Sequence, residues 1–172
     1  MPKHLVSRNA VLALVGLTLV LHNSAEYLTF PAFLSSPGGR LSGWFSLAGP
    51  LYISHELHVA LVLATVLPLL VIAWAILSQH KALLLAVLLV ESVLLVNVGA
   101  HVLASFLKGG YAPGLITAVL INLPFGIYVL RRAVKEQWIR ANVASQLIDV
   151  AVVLHVVWLS SGFWTLTRLA FR

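Results

Sequence analysis

The chain has 172 residues, of which 60% are hydrophobic and only 9% are charged. Soluble globular domains carry about 25% charged residues, so this composition excludes a soluble globular protein and predicts an integral membrane protein. The net charge of +6 is spread over short loops, which indicates membrane topology and no nucleic-acid partner. The absence of cysteine excludes disulfides, thiolate metal sites and cysteine nucleophiles.

Charged and turn-forming residues divide the chain into five apolar segments, each a candidate membrane span. The predicted spans are residues 9–30, 48–78, 82–107, 115–130 and 147–169. Pro31 is placed in the loop after the first span, and residues 131–146 are placed in an interfacial helix. The predicted fold is therefore an all-α, single-domain integral membrane bundle of about five transmembrane helices.

The distribution of lysine and arginine predicts the orientation of this bundle. Five spans put the two termini on opposite sides of the membrane, with seven basic residues on the N-terminal side and four on the other. Cytoplasmic loops carry the excess of basic residues, so we expect a cytoplasmic N-terminus. A cleaved signal peptide over residues 1–25 is the competing interpretation.

Eight histidine and glutamate side chains fall inside the predicted spans. They are His22, Glu26, His55, Glu56, His58, Glu91, His101 and His155. Each ionisable group in hydrocarbon costs about 2.5–3.5 kcal/mol on the insertion scale. These side chains must therefore face one another, a cavity or a metal ion.

Helical spacing places several of these residues on shared faces. His22 and Glu26 are four residues apart in the first span, and Asn97 and His101 are four apart in the third. At 1.5 Å per residue, polar groups of four spans lie in one layer of the outer half of the bilayer, with Glu91 deeper. The spacing predicts a polar pocket in the outer half of the bundle.

Imidazole and carboxylate ligands together suit zinc or iron. The candidate metal ligands are His22, Glu26, His101 and His155, with His58 or His55 as a variable ligand. Asn97 would orient a ligand or the substrate, and Glu56 or Glu91 would act as a general base. The alternative is a hydrogen-bonded network of His, Glu and Asn side chains that only fixes helix packing.

Two short patterns are discounted. The segment His55-Glu56-Leu57-His58 places its histidines three residues apart, whereas the metalloprotease helix requires a spacing of four. The segment Gly110–Gly114 predicts a turn and not a phosphate-binding loop.

Several motifs, taken in order, resemble the HXXEE-domain family of prokaryotic integral membrane proteins. The similar segments are His22-Asn23-Ser24-Ala25-Glu26-Tyr27 with Pro31, then Asn97-Val98-Gly99-Ala100-His101, then Tyr111–Ala118 with Leu123-Pro124-Phe125, and finally His155. Ala25 stands where the family has its first motif glutamate, and Glu56 is a candidate substitute. The resemblance implies a prokaryotic inner-membrane protein that is an enzyme or binds metal, and it carries over no substrate.

A looser resemblance points to sterol isomerases of the EXPERA type. These enzymes also place His-x-x-x-Glu inside a small bundle of five spans, and their carboxylates move protons without a metal. His22 and Glu26 fit that pattern. The resemblance implies Glu56 or Glu91 as the partner acid.

The leading hypothesis is a metal-dependent hydrolase or lipid-modifying enzyme that acts on a lipid or isoprenoid-like substrate. A site walled by apolar residues about 10 Å inside the bilayer is most easily reached by an apolar small molecule among the membrane lipids. One alternative is a metal-free acid–base isomerase or cyclase of EXPERA type. Another is a non-enzymatic haem- or ion-binding protein, and the buried glutamates argue against haem. Homo-oligomerisation stays open.

Overall fold

The structure is a computed structural model that describes residues 6–35 and 50–157, with side chains at 6–33, 58–107 and 109–157. Over these residues the fold is all-α, as the sequence predicts. The helices are α1 (Arg8–Ser35), α2 (Pro50–Ser78), α3 (Lys81–Lys108), α4 (Leu115–Lys135) and α5 (Ala141–Val157). Helix α1 packs against α2, and α3 packs against α2, α4 and α5.

Four of these helices, α1 to α4, are long and apolar enough to cross a membrane. A helix rises 1.5 Å per residue, so about 20 residues cover the hydrocarbon core. Helix α5 is apolar and has 17 residues in the part of the chain that the structure describes. The last part of the predicted fifth span, 158–169, lies outside the described residues. The chain therefore has the helices of an integral membrane protein.

The placement of Pro31 in a loop was wrong, because α1 continues through Pro31 to Ser35. Proline removes one N–H from the helical ladder, and helices in membranes tolerate this loss when nearby groups compensate. The first helix therefore extends one turn beyond the predicted span.

Residues 131–146, predicted to be one interfacial helix, are divided between two helices. Helix α4 ends at Lys135, and α5 begins at Ala141. Between them Gln137 has a φ of +60°, a conformation that ends a helix. Helix α5 thus starts at Ala141, whereas the fifth span was predicted to start at residue 147.

The apolar core occupies the half of the bundle that contains the start of α1. It joins the first turns of α1 and α3 to the last turns of α2 and α4. The core residues are Val11, Leu12, Val15, Ile72, Ala75, Leu84, Val87, Leu88, Val129, Ala133 and Ile139. Buried polar side chains, including His22 and His101, lie in the other half. The bundle therefore has an apolar core at one end and a group of buried polar residues at the other.

Arg132 fixes α4 to the N-terminal segment at the base of the bundle. Its guanidinium donates hydrogen bonds to the Val6 carbonyl (2.6 Å), the Tyr128 hydroxyl (2.7 Å) and the Glu136 carboxylate (2.7 Å). Arg8 also hydrogen-bonds to Gln79 at the end of α2. These contacts hold the ends of α1, α2 and α4 together and set the relative height of their polar residues.

Helix α4 changes its winding part-way along its length. It begins with an α-helical turn at Leu115–Thr117, continues as a π-helix over Ala118–Asn122 and returns to α-helix at Leu123. Pro124 lies at the point of return, where its ring would clash with the carbonyl four residues earlier in a regular helix. The wider π turn relieves this clash and places residues five apart on one side of the helix.

Candidate metal centre

His22 and Glu26 of α1 meet His101 of α3 in the polar half of the bundle. One ligand atom from each side chain lies within 4.8 Å of the other two. The Glu26 Oε1 atom is 2.9 Å from His101 Nε2 and 3.8 Å from His22 Nε2. The two imidazole rings are nearly perpendicular, at 80°, with centroids 5.0 Å apart. We call these three residues the His/Glu cluster.

Asn97 connects the two histidines of the cluster. Its side-chain nitrogen lies 2.8 Å from His22 Nε2 and 2.9 Å from His101 Nε2. Asn97 reaches both because it lies one turn before His101 on the same face of α3. The amide thus sits where the sequence places a residue that orients a ligand.

Thr117 of α4 determines which nitrogen of His22 carries the proton. The single hydroxyl proton of Thr117 is donated to the Gly114 carbonyl at 2.9 Å. The Thr117 oxygen therefore accepts from His22 Nδ1 at 3.0 Å, so His22 is protonated at Nδ1 and has a lone pair at Nε2. Metal-binding histidines commonly have this arrangement, in which one nitrogen donates to an oxygen and the other faces the metal.

The three inward-facing atoms of the cluster are two imidazole nitrogens and one carboxylate oxygen, each of which can be a metal ligand. Asn97 lies within hydrogen-bond distance of both nitrogens. Glu26 Oε1 lies 2.9 Å from His101 Nε2, the distance of a hydrogen bond from an imidazole N–H to a carboxylate. A shared proton or a bound cation would each satisfy this pair of atoms.

Gly114 closes the cluster from the α4 side through its backbone. Its φ is +76°, and a Cβ atom placed there would lie 2.6 Å from Glu26 Cγ and 3.1–3.2 Å from the ring carbons of His22 and His101. The His22 side chain is almost fully buried, whereas 17% of the Glu26 side chain is exposed. Only glycine fits this close approach, and the cluster opens to its surroundings beside Glu26.

The family model described as "Protein of unknown function with HXXEE motif" matches residues 13–129 of the chain. The chain belongs to the HXXEE family. The match includes His22 and Glu26, the first and last positions of the HXXEE motif, together with Asn97, His101 and Thr117. No curated protein and no solved structure matches the chain.

The HXXEE motif forms one turn of α1, so its first and last residues face the cluster together. Ala25 occupies the position of the first motif glutamate and offers no carboxylate. The side chains of Glu56 and His55, proposed as substitute and variable ligand, lie outside the described residues. In this HXXEE protein, α1 contributes two of the three cluster residues.

Two further histidines lie near the HXXEE motif. His155 of α5 has a buried Nε2 atom without a hydrogen-bond partner in the described part of the chain, and it is close enough to His101 and Glu26 for electrostatic interaction. His58 of α2 stacks on Tyr27, with ring centroids 4.1 Å apart, and its buried Nε2 also lacks a partner among the described side chains. Neither ring belongs to the three-residue cluster, and His155 is the nearer candidate for a further ligand.

Glu91 lies apart from the His/Glu cluster. Its carboxyl group faces Gly126 on α4, and a Cβ atom on Gly126 would lie 2.9 Å from Glu91 Oε1. Glu91 was expected to act as a general base at the cluster, but the structure does not place it there.

Gly114, Thr117 and Asn122 belong to the polar half of the bundle but were not among the predicted site residues. Gly114 was assigned to a turn, which is where it lies, but a turn pattern does not predict contact with His22. Thr117 and Asn122 are polar residues within the predicted fourth span. A search for uncharged as well as ionisable polar residues within the spans would have found both.

A groove of about 340 Å³ lies between α1 and α2, beside the HXXEE motif. It is lined by Asn23, Ser24, Tyr27, Leu28, Leu61, Val62, Thr65 and Val66. The Asn23 amide donates a hydrogen bond of 2.8 Å to Thr65, which leaves a mainly apolar lining. None of the three residues of the His/Glu cluster is among these lining residues, so the groove is a neighbour of the motif and not part of the cluster.

Proposed function

We propose that this HXXEE protein is a metal-dependent, membrane-embedded enzyme that acts on a lipid or isoprenoid-like substrate. The observation that carries the proposal is the convergence of one ligand atom each from His22, Glu26 and His101 within 4.8 Å of one another. Two nitrogens and one carboxylate oxygen form a ligand set that suits zinc or iron.

In this proposal His22, Glu26 and His101 bind the metal, and His155 is the candidate fourth ligand. Asn97 and Thr117 orient the imidazoles, since each is within hydrogen-bond distance of a cluster nitrogen. The metal would supply Lewis-acid chemistry when bound. The protein residues bind it, orient it and exclude bulk water.

The substrate class follows from the surroundings of the cluster. Leu28 and Tyr27, which follow the motif on α1, are 75% and 43% exposed. In a membrane these side chains face lipid, and the groove between α1 and α2 provides a mainly apolar volume beside the motif. A hydrocarbon chain fits this route better than a charged soluble metabolite. We place the enzyme in a prokaryotic inner membrane with its N-terminus in the cytoplasm.

Elemental analysis of the detergent-purified protein tests the proposal. We expect near-stoichiometric zinc or iron, either as purified or after reconstitution with each metal, and loss of that metal from His22→Ala. His22 is the ligand whose burial and tautomer are most strongly fixed. A protein that remains metal-free after both reconstitutions would contradict the proposal.

Replacement of Thr117 tests the orientation of His22 separately from metal ligation. Thr117→Val keeps the shape of the side chain but removes the oxygen that accepts from His22 Nδ1. We expect metal affinity to fall about 10–100-fold, as for other residues that orient ligands, while Thr117→Ser keeps near-normal affinity. Competition with a coloured chelator measures both. Equal affinity in Thr117→Val and the wild type would show that this hydrogen bond does not orient a ligand.

The 2.9 Å contact between His101 Nε2 and Glu26 Oε1 also favours a second candidate, a metal-free acid–base isomerase or cyclase. A proton between these atoms would satisfy the same pair of acceptors, and the pair could then pass that proton to and from a bound lipid. In that case Glu26→Gln should abolish activity on a lipid substrate in protein that contains no metal. The elemental analysis above separates the two candidates.

A further inference from the structure

A second group of polar side chains lies deeper in the bundle than the His/Glu cluster. Glu91 of α3 and Asn122 of α4 are both fully buried. Their four side-chain oxygen and nitrogen atoms have no hydrogen-bond partner among the residues that the structure describes. Leaving a buried polar group without a partner costs about 1–3 kcal/mol, and a charged group costs more. Two such side chains in one region form a candidate site for water or another polar ligand.

Helix geometry places Glu91 and Asn122 on the same gap between α3 and α4. Gly126 contacts Glu91, because a Cβ atom on this glycine would lie 2.9 Å from Glu91 Oε1. Asn122 lies one turn before Gly126 on α4, so both residues face the same side of the helix. Gly126 leaves room for the carboxyl group, and Asn122 lies above it in the direction of the cluster.

The π-helical turn of α4 aligns this gap with the His/Glu cluster. Thr117 lies within hydrogen-bond distance of His22, and Asn122 ends the π-helical segment five residues later. In a π turn, hydrogen bonds join residues five apart, so these residues lie on one side of the helix. The inward face of α4 thus carries Thr117, Asn122 and Gly126 in succession from the cluster to Glu91.

The balance of donors and acceptors indicates what the gap binds. An ionised Glu91 and Asn122 offer three acceptor oxygens and one donor N–H₂ group. A sodium or divalent ion would require about six oxygens and would leave the amide donor without a partner. One proton on Glu91 converts an acceptor into a donor, and water molecules can then bridge the acid and the amide.

We propose that Glu91 and Asn122 form a second site, which binds water and one exchangeable proton. The site lies on the same face of α4 as Thr117, which contacts the His/Glu cluster. The exchange is a proton transfer between the Glu91 carboxyl group and a bridging water, without an electron change. The O–H bond of the acid breaks as an O–H bond to the water forms, and the reverse transfer restores the acid.

Infrared spectroscopy of the full-length, detergent-purified protein tests the site directly. A protonated carboxyl group gives a carbonyl stretching band that is separate from the amide bands. We expect the difference between wild type and Glu91→Gln to contain one such band, which shifts when the sample is transferred to D₂O. The matched control is Asp149→Asn, which removes an exposed carboxylate and should leave the band unchanged.

Asn122→Leu keeps the test valid if Glu91→Gln folds poorly. This variant should retain the Glu91 band, move it to the frequency of a less hydrogen-bonded acid and slow its exchange at least several-fold. Metal content should be unchanged in both variants. Absence of metal from the protein would therefore contradict the proposed function alone, and absence of the carboxyl band would contradict the second site alone. The proposal would be overturned if Glu91→Gln kept every carboxyl band of the wild type, or if the band that it lost did not shift in D₂O.

Discussion

His101→Ala is expected to lose its bound metal while it still inserts into the membrane and remains folded. His101 provides one of two imidazoles and contacts Glu26 at 2.9 Å, so its removal leaves a ligand set too small for tight binding. The apolar core lies in the other half of the bundle, so the fold should survive. Metal content by elemental analysis should fall from near-stoichiometric to background, with an unchanged elution profile.

The matched control for His101→Ala is His80→Ala. His80 is an exposed histidine at the start of α3, at the opposite end of the bundle from the cluster. Its ring accepts a hydrogen bond from the Ala82 N–H, so its loss should cost about 1 kcal/mol of helix capping and no metal. Full metal retention in His101→Ala would remove this residue from the site.

Gly114→Ala is expected to disable the cluster without changing any ligand. The added methyl group would lie 2.6 Å from Glu26 Cγ and 3.1–3.2 Å from both imidazole rings. An alanine at a φ of +76° also costs about 1–2 kcal/mol. We expect a lower free energy of unfolding and loss of most bound metal, since the rings cannot move apart without breaking the contacts to Asn97 and Thr117.

Gly109→Ala separates backbone strain from the effect on the cluster. Gly109 has a similar φ of +61°, but a Cβ atom there meets nothing within 4 Å. This variant should lose comparable stability in a denaturant titration and keep its metal. If both glycine variants lose metal equally, the loss would follow from loop strain and not from the contact with the cluster.

The sequence predicts the helical architecture and the main members of the site because both depend on strong local signals. Long apolar runs predict the helices, and the cost of placing Glu26, His22 and His101 in hydrocarbon requires that they face one another, a cavity or a metal ion. The four-residue spacings place each pair on one face. Together these signals are enough to anticipate a cluster on α1 and α3.

The contribution of α4 could not be predicted in the same way. The π-helical segment depends on the packing around Pro124 and has no local pattern that specifies it. If residues 118–122 are assumed to form a regular α-helix, the angle between Thr117 and Asn122 around the helix axis is wrong by the equivalent of about one residue. Gly114 is a turn glycine by sequence, and its second role as a wall of the site depends on the approach of α1. The position of Glu91 opposite Gly126 likewise depends on tertiary packing.

The hydrogen bond between His22 and Thr117 joins residues that are 95 positions apart. During synthesis at about 5–20 residues per second, His22 enters the membrane roughly 5–20 s before Thr117 is made. Asn97, the other partner of His22, follows it by 75 positions. Until Asn97 is made, the polar face of α1 has none of its final partners from α3 and α4. Assembly of this protein therefore requires the first helix to wait beside the insertion machinery, or to be shielded there, until the fourth helix is in the bilayer.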